Sequence, residues 1–176
     1  MEITFRKLNN TEEDYEKLYK WCKNRYIYEW FEQRVLSLDE IKTKYMNKLL
    51  NSDQTLFIIQ CDGNDIGLVQ AYKYDDDIDI PVLNKYKNLY EYDIFIGEED
   101  YLSKGVGHKV IEIVNREIYK AFNADGIVLR PFKRNIRAVN CYEKVGFKVV
   151  GEYKGTDTIG NPEVIAVLLN KNTNNS

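Results

Sequence analysis

The amino-acid sequence predicts an α/β (α+β) fold in which helices flank a mixed central sheet. Three observations lead to this prediction. Residues 1–8 alternate between apolar and polar side chains, apolar residues recur with helical spacing between residues 11 and 50, and strand-like runs alternate with two further helical patterns after residue 55. The length of 176 residues suits one domain, which we expect at residues 1–170, followed by a polar tail at 171–176.

The first half of the chain contains one predicted strand and two predicted helices. After the strand at residues 1–8, Thr11 precedes an acidic residue three positions on and then an apolar stripe, which is typical of a helix start. Ser37 has Glu40 at the same spacing and predicts the start of a second helix. The connecting segment 26–31 is rich in aromatic residues, which favours a role beyond joining the helices.

The second half of the chain contains six predicted strands and two predicted helices. Asp62 and Gly63 supply a hairpin turn between the first two of these strands. Apolar residues from Val110 to Ile118 form a helical stripe, and a shorter helix at 135–144 ends before Gly146, a suitable C-cap residue. The predicted strands lie at 56–61, 66–74, 89–97, 126–129, 147–153 and 163–169.

Composition and charge exclude several classes of function. The net charge of −3 and the pI near 5.4 argue against a nucleic-acid partner. No apolar run reaches the roughly 20 residues that span a membrane, and the N-terminus lacks a secretory layout, so we expect a cytoplasmic protein without a membrane partner. The three cysteines are isolated and His108 is the only histidine, so neither a disulfide framework nor a metal site is expected.

Two short acidic runs, at 75–79 and 98–100, have two interpretations. Most charge runs are solvated loops. Alternatively, the negative charge attracts a cationic substrate.

A glycine turn is the first feature that indicates a ligand. In the segment Leu102–Lys109, Gly105 and Gly107 follow a strand and open a helix, so the backbone can turn tightly and approach a ligand closely. The free N–H groups of the first helical turn would then bind an anion such as a pyrophosphate, and Lys104 and Lys109 would add positive charge. By itself the pattern also fits an ordinary turn, and it is neither a Walker P-loop nor a Rossmann fingerprint.

A second motif lies about thirty residues later. Asn135, Ala138, Tyr142 and Gly146-Phe147 stand at the spacing N-x-x-A-x-x-x-Y-x-x-x-G-F, which places the asparagine and the tyrosine on one helix face. The order of strand, glycine turn, helix, strand and this motif resembles the acetyl-CoA-binding core of the GNAT superfamily. That resemblance implies a GNAT fold with splayed parallel strands 4 and 5.

Further motifs are similar to those of aminoglycoside 6'-N-acetyltransferases, from about residue 3 to residue 169. They are Tyr28-Glu29-Trp30-Phe31, Gly63-x-x-Ile66-Gly67-x-x-Gln70-x-Tyr72, Asp93-x-Phe95-Ile96-Gly97, Ser103-Lys104-Gly105-x-Gly107 and Arg137-Ala138-x-x-Cys141-Tyr142-Glu143-Lys144. The resemblance implies an acetyl-CoA-dependent enzyme that acetylates a primary amine of a small amino sugar, without a metal, as a monomer or a homodimer.

The resemblance also implies which residues bind the cofactor. The backbone amides of residues 106–109 would hold the pyrophosphate, the pantetheine arm would lie between strands 89–97 and 126–129, and Asn135 would contact that arm. The complete predicted set is Ile94, Phe95, Ile96, Lys104, Gly105, Val106, Gly107, His108, Lys109, Asn135, Ala138 and Tyr142. No catalytic role is expected for the His108 side chain.

Two residues are predicted to carry the chemistry. An alkyl amine is mostly protonated at neutral pH, so a carboxylate must bind it and accept its proton, and Asp93 is the candidate because aspartate is unusual in mid-strand. A backbone N–H of Ile94 or Phe95 would stabilise the oxyanion. Tyr142 would protonate the departing thiolate. The alternatives are an edge-strand or turn-facing aspartate and a tyrosine that only packs.

The acceptor site is predicted from aromatic and acidic residues, because sugar rings stack on aromatic faces and ammonium groups pair with carboxylates. The candidates are Glu29, Trp30, Tyr72, Asp76, Asp93 and Arg130, although Trp30 could also be a core residue. Arg130 departs from the family pattern, which has an aspartate there, and it would repel a polycation or pair with Asp93 or the acidic loop. Leu102 also departs from the usual Gln or Arg.

Three alternative functions remain open. A GNAT enzyme that acetylates a protein N-terminus would have an extended groove, whereas an amino sugar predicts a compact acidic pocket. A polyamine or another amine metabolite is a second possible acceptor. The third alternative is an acyl-CoA-binding module without turnover.

Overall fold

The computed structural model describes residues 1–76 and 78–172. Seven strands form one sheet in the order β1-β2-β3-β4-β5-β7-β6. Neighbouring strands are antiparallel except β4 and β5, which are parallel. The strands are Ile3–Lys7 (β1), Gln54–Cys61 (β2), Asn64–Lys73 (β3), Leu89–Ile96 (β4), Gly126–Leu129 (β5), Lys148–Thr156 (β6) and Pro162–Lys171 (β7).

Five α-helices in the described part of the chain accompany the sheet, and two of them begin where capping residues predict. The Thr11 hydroxyl oxygen accepts a hydrogen bond from the Asp14 amide, and Ser37 and Glu40 form both hydrogen bonds of a capping box. The helices are Glu12–Cys22 (α1), Arg25–Tyr28 (α2), Leu38–Leu50 (α3), Val106–Phe122 (α4) and Ile136–Lys144 (α5). The predicted fold class, a mixed sheet flanked by helices, is confirmed.

The parallel strands separate after a short paired stretch. β4 pairs with β5 from Leu89↔Gly126 to Glu91↔Val128, whereas β4 continues to Ile96 with β3 as its paired neighbour. β5 ends before Pro131, which has no N–H to continue a ladder. The predicted splay is therefore present, and it leaves the second half of β4 open on one edge.

The sheet lies between two apolar layers, and this arrangement orients the side chains of β4. α4 packs on one face with Val110 and Val114, and α1 and α3 cover the other face with Trp21 and Ile41. Because side chains alternate along a strand, the even-numbered residues of β4 from Tyr92 to Ile96 face α4, and the odd-numbered residues face α3.

Three details refine the predictions. The aromatic segment 26–31 begins within α2, and β7 continues to Lys171, one residue into the predicted tail. The rest of that tail, from residue 173, lies outside the described residues. Across the residues that the structure describes, no helix combines the length and the apolar character needed to cross a membrane.

Candidate active site

A cavity of about 570 Å³ lies where β4 and β5 separate. Strand residues 92–96 and residues 129–132 line its middle. What we call the α3 side is lined by Tyr26, Ile27, Trp30, Phe31, Glu32, Lys44, Tyr45, Lys48, Leu68 and Gln70. What we call the α5 side is lined by Leu102, Gly107, Ile111, Asn135, Arg137, Ala138, Cys141 and Tyr142.

The predicted glycine turn forms the start of α4. Gly105 has φ +77°, a conformation that side-chain-bearing residues rarely adopt, and no side chain caps the helix. The first helical hydrogen bond runs from the Lys109 amide to the Gly105 carbonyl oxygen, at 3.3 Å. The N–H groups of residues 106–108 therefore have no acceptor within the helix. With no acidic residue in the first turn, this helix start suits an anion.

Some predicted anion contacts are not at the cavity. The Lys109 amide already donates within α4, whereas the amides of residues 106–108 have no helical acceptor. The Lys109 ammonium group donates to the Met1 carbonyl oxygen at 2.5 Å, which holds it away from a ligand role. Lys104 is exposed, and neither it nor His108 lines the cavity. Arg137 does line the cavity. It belongs to one of the predicted motifs, but the sequence predicted no role for it.

Asn135 and Tyr142 both line the α5 side. Asn135 caps α5, because its Oδ1 atom accepts from the Ala138 amide at 3.2 Å, so its Nδ2 atom is the group left for a ligand. The Tyr142 ring packs on Phe147 with 5.8 Å between ring centroids. Its hydroxyl group has no hydrogen-bond partner among the described residues, and burial, followed by the charge of Asp93, raises the pKa of Tyr142.

Asp93 projects toward the α3 side from the part of β4 that β5 has left. It lies directly across the ladder from Gln70 of β3, whose Nε2 atom donates to Asp93 Oδ2 at 2.6 Å. The Tyr72 hydroxyl group lies 3.4 Å from the same oxygen, and burial raises the pKa of Tyr72. Asp93 Oδ1 accepts no hydrogen bond from the described residues. One carboxylate oxygen is thus fixed and the other is available to a ligand.

Of the predicted acceptor residues, Trp30 lines the cavity, whereas Glu29 and Tyr72 do not. Glu29 pairs instead with Arg25 at 3.6 Å and with Arg134 at 3.9 Å. The Arg134 guanidinium group also lies over the Trp30 ring, 4.8 Å from its centroid. The predicted contact of Glu29 with the acceptor therefore stays a prediction, and in this structure its carboxylate lies beside these two arginines.

Arg130 pairs with acidic residues other than Asp93. It donates to both carboxylate oxygens of Glu91 at 2.7–3.1 Å and to Asp76 in the acidic loop. Glu91 is buried, and burial raises its pKa to about 7 while Arg130 opposes that rise. Asp76 does not line the cavity, and its predicted contact with the acceptor stays a prediction. Asp77 of the same loop lies outside the described residues.

The cavity is less acidic than an amino-sugar site was expected to be. Among its described lining residues, Asp93 and Glu32 carry negative charge, and Glu32 is paired with Lys44. The positively charged lining residues are Lys44, Lys48, Arg130 and Arg137. Nowhere in residues 1–76 and 78–172 do three or more His, Cys, Asp or Glu side chains cluster as a metal site would require.

Comparison with known families identifies the fold. The family model of the acetyltransferase (GNAT) domain matches residues 10–154, which is most of the chain. The chain belongs to the GNAT acetyltransferase family. This membership confirms the predicted class of enzyme, a GNAT N-acetyltransferase, and acetyl-CoA as the acyl donor that GNAT enzymes use.

Individual relatives of this GNAT enzyme differ in their acceptors. Aminoglycoside N(6')-acetyltransferase type 1 of Klebsiella pneumoniae is 26% identical over 170 residues, covering 90% of this chain and 78% of the relative. The structure of AAC(6')-Ib with coenzyme A and kanamycin matches with a TM-score of 0.75 at 22% identity, over 97% of this chain and 95% of the other. Spermidine N-acetyltransferase from Vibrio cholerae with CoA and spermine matches with a TM-score of 0.75 at 21% identity, over 96% and 95%. At such identities the structural likeness establishes the fold.

Proposed function

We propose that this GNAT enzyme transfers the acetyl group of acetyl-CoA to a primary amine of a small amino sugar of the aminoglycoside type, by direct attack of the amine on the thioester. One observation carries the proposal. Asp93, with one carboxylate oxygen available, faces the same cavity as the open half of β4 and the uncapped start of α4. A candidate base and an anion-binding helix start thus lie at one cavity. We take the domain that contains them to span residues 1–170.

The chain offers suitable groups to each part of acetyl-CoA. The N–H groups of residues 106–108 suit the pyrophosphate, because they are unpaired within α4 and stand at the positive end of its dipole. The open edge of β4 at residues 94–96 presents backbone groups to the pantetheine amides. Asn135 Nδ2 and the Ala138 methyl group line the same path.

Asp93 is proposed to prepare the amine. Its free oxygen Oδ1 binds the acceptor as an ammonium ion and then accepts a proton, directly or through a water molecule, which leaves the neutral amine as nucleophile. A backbone N–H of Ile94 or Phe95 then stabilises the negative charge that develops on the acetyl oxygen. Trp30 and Phe31 supply apolar faces for the sugar ring on the α3 side.

Tyr142 is proposed to protonate the departing thiolate. Because its raised pKa keeps the hydroxyl group protonated, it is a proton donor throughout the physiological range.

We expect Tyr142→Phe to lower kcat about tenfold at pH 7, with a smaller loss at low pH where solvent supplies the proton. Steady-state kinetics between pH 6 and 9 measure this. A variant that matches the wild type across the pH range excludes the role.

The acceptor is tested with a panel of amines. Release of free CoA is measured with a kanamycin-type aminoglycoside, a polyamine such as spermidine, and a peptide with a free N-terminus. We expect the aminoglycoside to give the highest kcat/KM, because the cavity is compact and has the two aromatic faces. Turnover with the polyamine alone would favour the second candidate, which the Vibrio cholerae enzyme supports by its bound spermine. Turnover confined to the peptide, or none, would contradict the proposal.

A further inference from the structure

Lys48 is a half-buried lysine whose partner is a neutral amide. It lies on α3, lines the cavity, and donates from Nζ to Gln70 Oε1 at 2.5 Å. It forms no salt bridge with a described carboxylate, in contrast to Lys44 one turn earlier, which pairs with Glu32. Partial burial disfavours the charge of an ammonium group, and no salt bridge with a described carboxylate offsets that cost here. Neither the predicted acceptor site nor the proposed transfer step uses this residue.

We propose that Lys48 is a positioning residue that orients the Asp93 carboxylate through Gln70. The inference rests on the proposed function, in which Asp93 is the base. The three side chains form one hydrogen-bonded chain, from Lys48 Nζ to Gln70 Oε1 and from Gln70 Nε2 to Asp93 Oδ2, with lengths of 2.5 and 2.6 Å. Gln70 is buried, so both ends of its amide are committed to this chain.

The chemistry of the two outer groups fixes the direction of the amide. An ammonium group can only donate, so it must meet the amide oxygen, and a carboxylate can only accept, so it must meet the amide nitrogen. With Gln70 held this way, Asp93 Oδ2 receives an N–H group and Oδ1 is left for the acceptor. A neutral lysine amine donates to the same oxygen without charge assistance, so it holds the Gln70 amide less firmly.

The surroundings of Lys48 set the pH at which this control is lost. Burial, followed by the charge of Lys44 on the same helix, lowers the pKa of Lys48 to about 8. The carboxylates of Asp93 and Glu32 oppose this shift, and the Tyr45 ring lies 5.9 Å below the ammonium group. The positioning effect is therefore strongest where Lys48 is charged, and it weakens as the pH rises through about 8.

Lys48→Met tests the inference by kinetics. We expect kcat to fall about tenfold at pH 7, because a misplaced base loses alignment with the amine. KM for a cationic acceptor should stay the same or fall, since a positive charge is removed from the cavity. The ratio of wild-type to variant kcat should shrink above pH 8, where wild-type Lys48 is itself neutral. Lys48→Arg, which keeps a charged donor, should recover at least half of the lost activity.

Two comparisons separate positioning from a general structural effect. Lys42→Met removes a lysine from the same helix that pairs with Glu12 outside the cavity, and it should leave kcat unchanged. Gln70→Met should reduce kcat as much as Lys48→Met, and the double variant should be little worse than either, because both break one chain. Additive losses, a pH-independent ratio, or a Lys48→Met kcat within twofold of wild type would overturn the inference.

A second measurement needs no turnover. The side-chain amide signals of Gln70 in NMR spectra should titrate with a midpoint near pH 8 in the wild type and in Lys42→Met, and should not do so in Lys48→Met. Absence of that titration in the wild type overturns the positioning role. Failure of the proposed function has a different signature, because then Asp93→Asn retains activity or the wild type transfers no acetyl group, while the Gln70 signals still titrate.

Discussion

Replacing Asp93 by asparagine is expected to lower kcat by roughly 10²–10⁴-fold, the range for removal of one acid–base group. The asparagine oxygen can still accept from Gln70, so the side chain keeps its place. It cannot accept a proton from the acceptor amine at neutral pH, and it binds an ammonium ion less strongly than a carboxylate does. Steady-state release of CoA with the best acceptor of the panel measures the loss.

The same substitution at an exposed site provides the control. Asp53→Asn removes a carboxylate that lies before β2, outside the cavity lining, and should leave kcat unchanged. KM for acetyl-CoA should be similar in both variants, because the predicted pyrophosphate contacts are backbone groups of α4. If kcat of Asp93→Asn stays within threefold of the wild type, Asp93 is not the base.

Local sequence signals predicted the fold well because they act over a few residues. A capping residue satisfies N–H groups two or three positions away, so Thr11 and Ser37 identify helix starts without knowledge of the tertiary structure. The turn at Gly105 is local in the same way, since its positive φ and the helix that follows are both set within one segment. The glycine turn and the start of α4 could therefore be predicted from contiguous residues.

The acceptor side depends on contacts between distant segments, and several of its features were not predicted. Lys48 of α3 and Gln70 of β3 meet Asp93 only because the helix covers that face of the sheet and the strands pair in one register. Likewise, the sequence does not show whether a carboxylate in a predicted site is already paired with another side chain in the folded protein. Glu29 lies 3.9 Å from Arg134, and Asp76 pairs with Arg130, which the sequence alone does not reveal.

Arg130→Met is expected to destabilise the fold by about 3–5 kcal/mol at pH 8, the usual cost of removing one partner from a buried ion pair. Glu91 is 4% exposed, and its two carboxylate oxygens receive their hydrogen bonds from Arg130. Without that partner the carboxylate must either remain charged in an apolar setting or bind a proton. Denaturant-induced unfolding of the variant and the wild type measures the difference in free energy of unfolding.

The pH dependence of that loss follows from the sign of the Glu91 shift. Burial raises the pKa of Glu91 to about 7 even beside Arg130, and removal of Arg130 raises it further. A group whose pKa is higher in the folded state than in the unfolded state contributes stability below its unfolded pKa, and this is lost as the pH rises through the folded pKa. The deficit of Arg130→Met should therefore be small near pH 5 and largest at pH 8.

Two further variants decide whether the buried pair causes the deficit. Arg116→Met removes an exposed arginine that pairs with Glu117, and its effect should be small and independent of pH. Adding Glu91→Leu to Arg130→Met should restore most of the stability, because no buried charge then lacks a partner. A deficit below about 1 kcal/mol at pH 8, or one that does not change between pH 5 and 8, would show that Glu91 does not depend on Arg130. Arg130 would then be free to contact an anionic group of the acceptor, and the preference for an aminoglycoside, which is a polycation, would be lost with it.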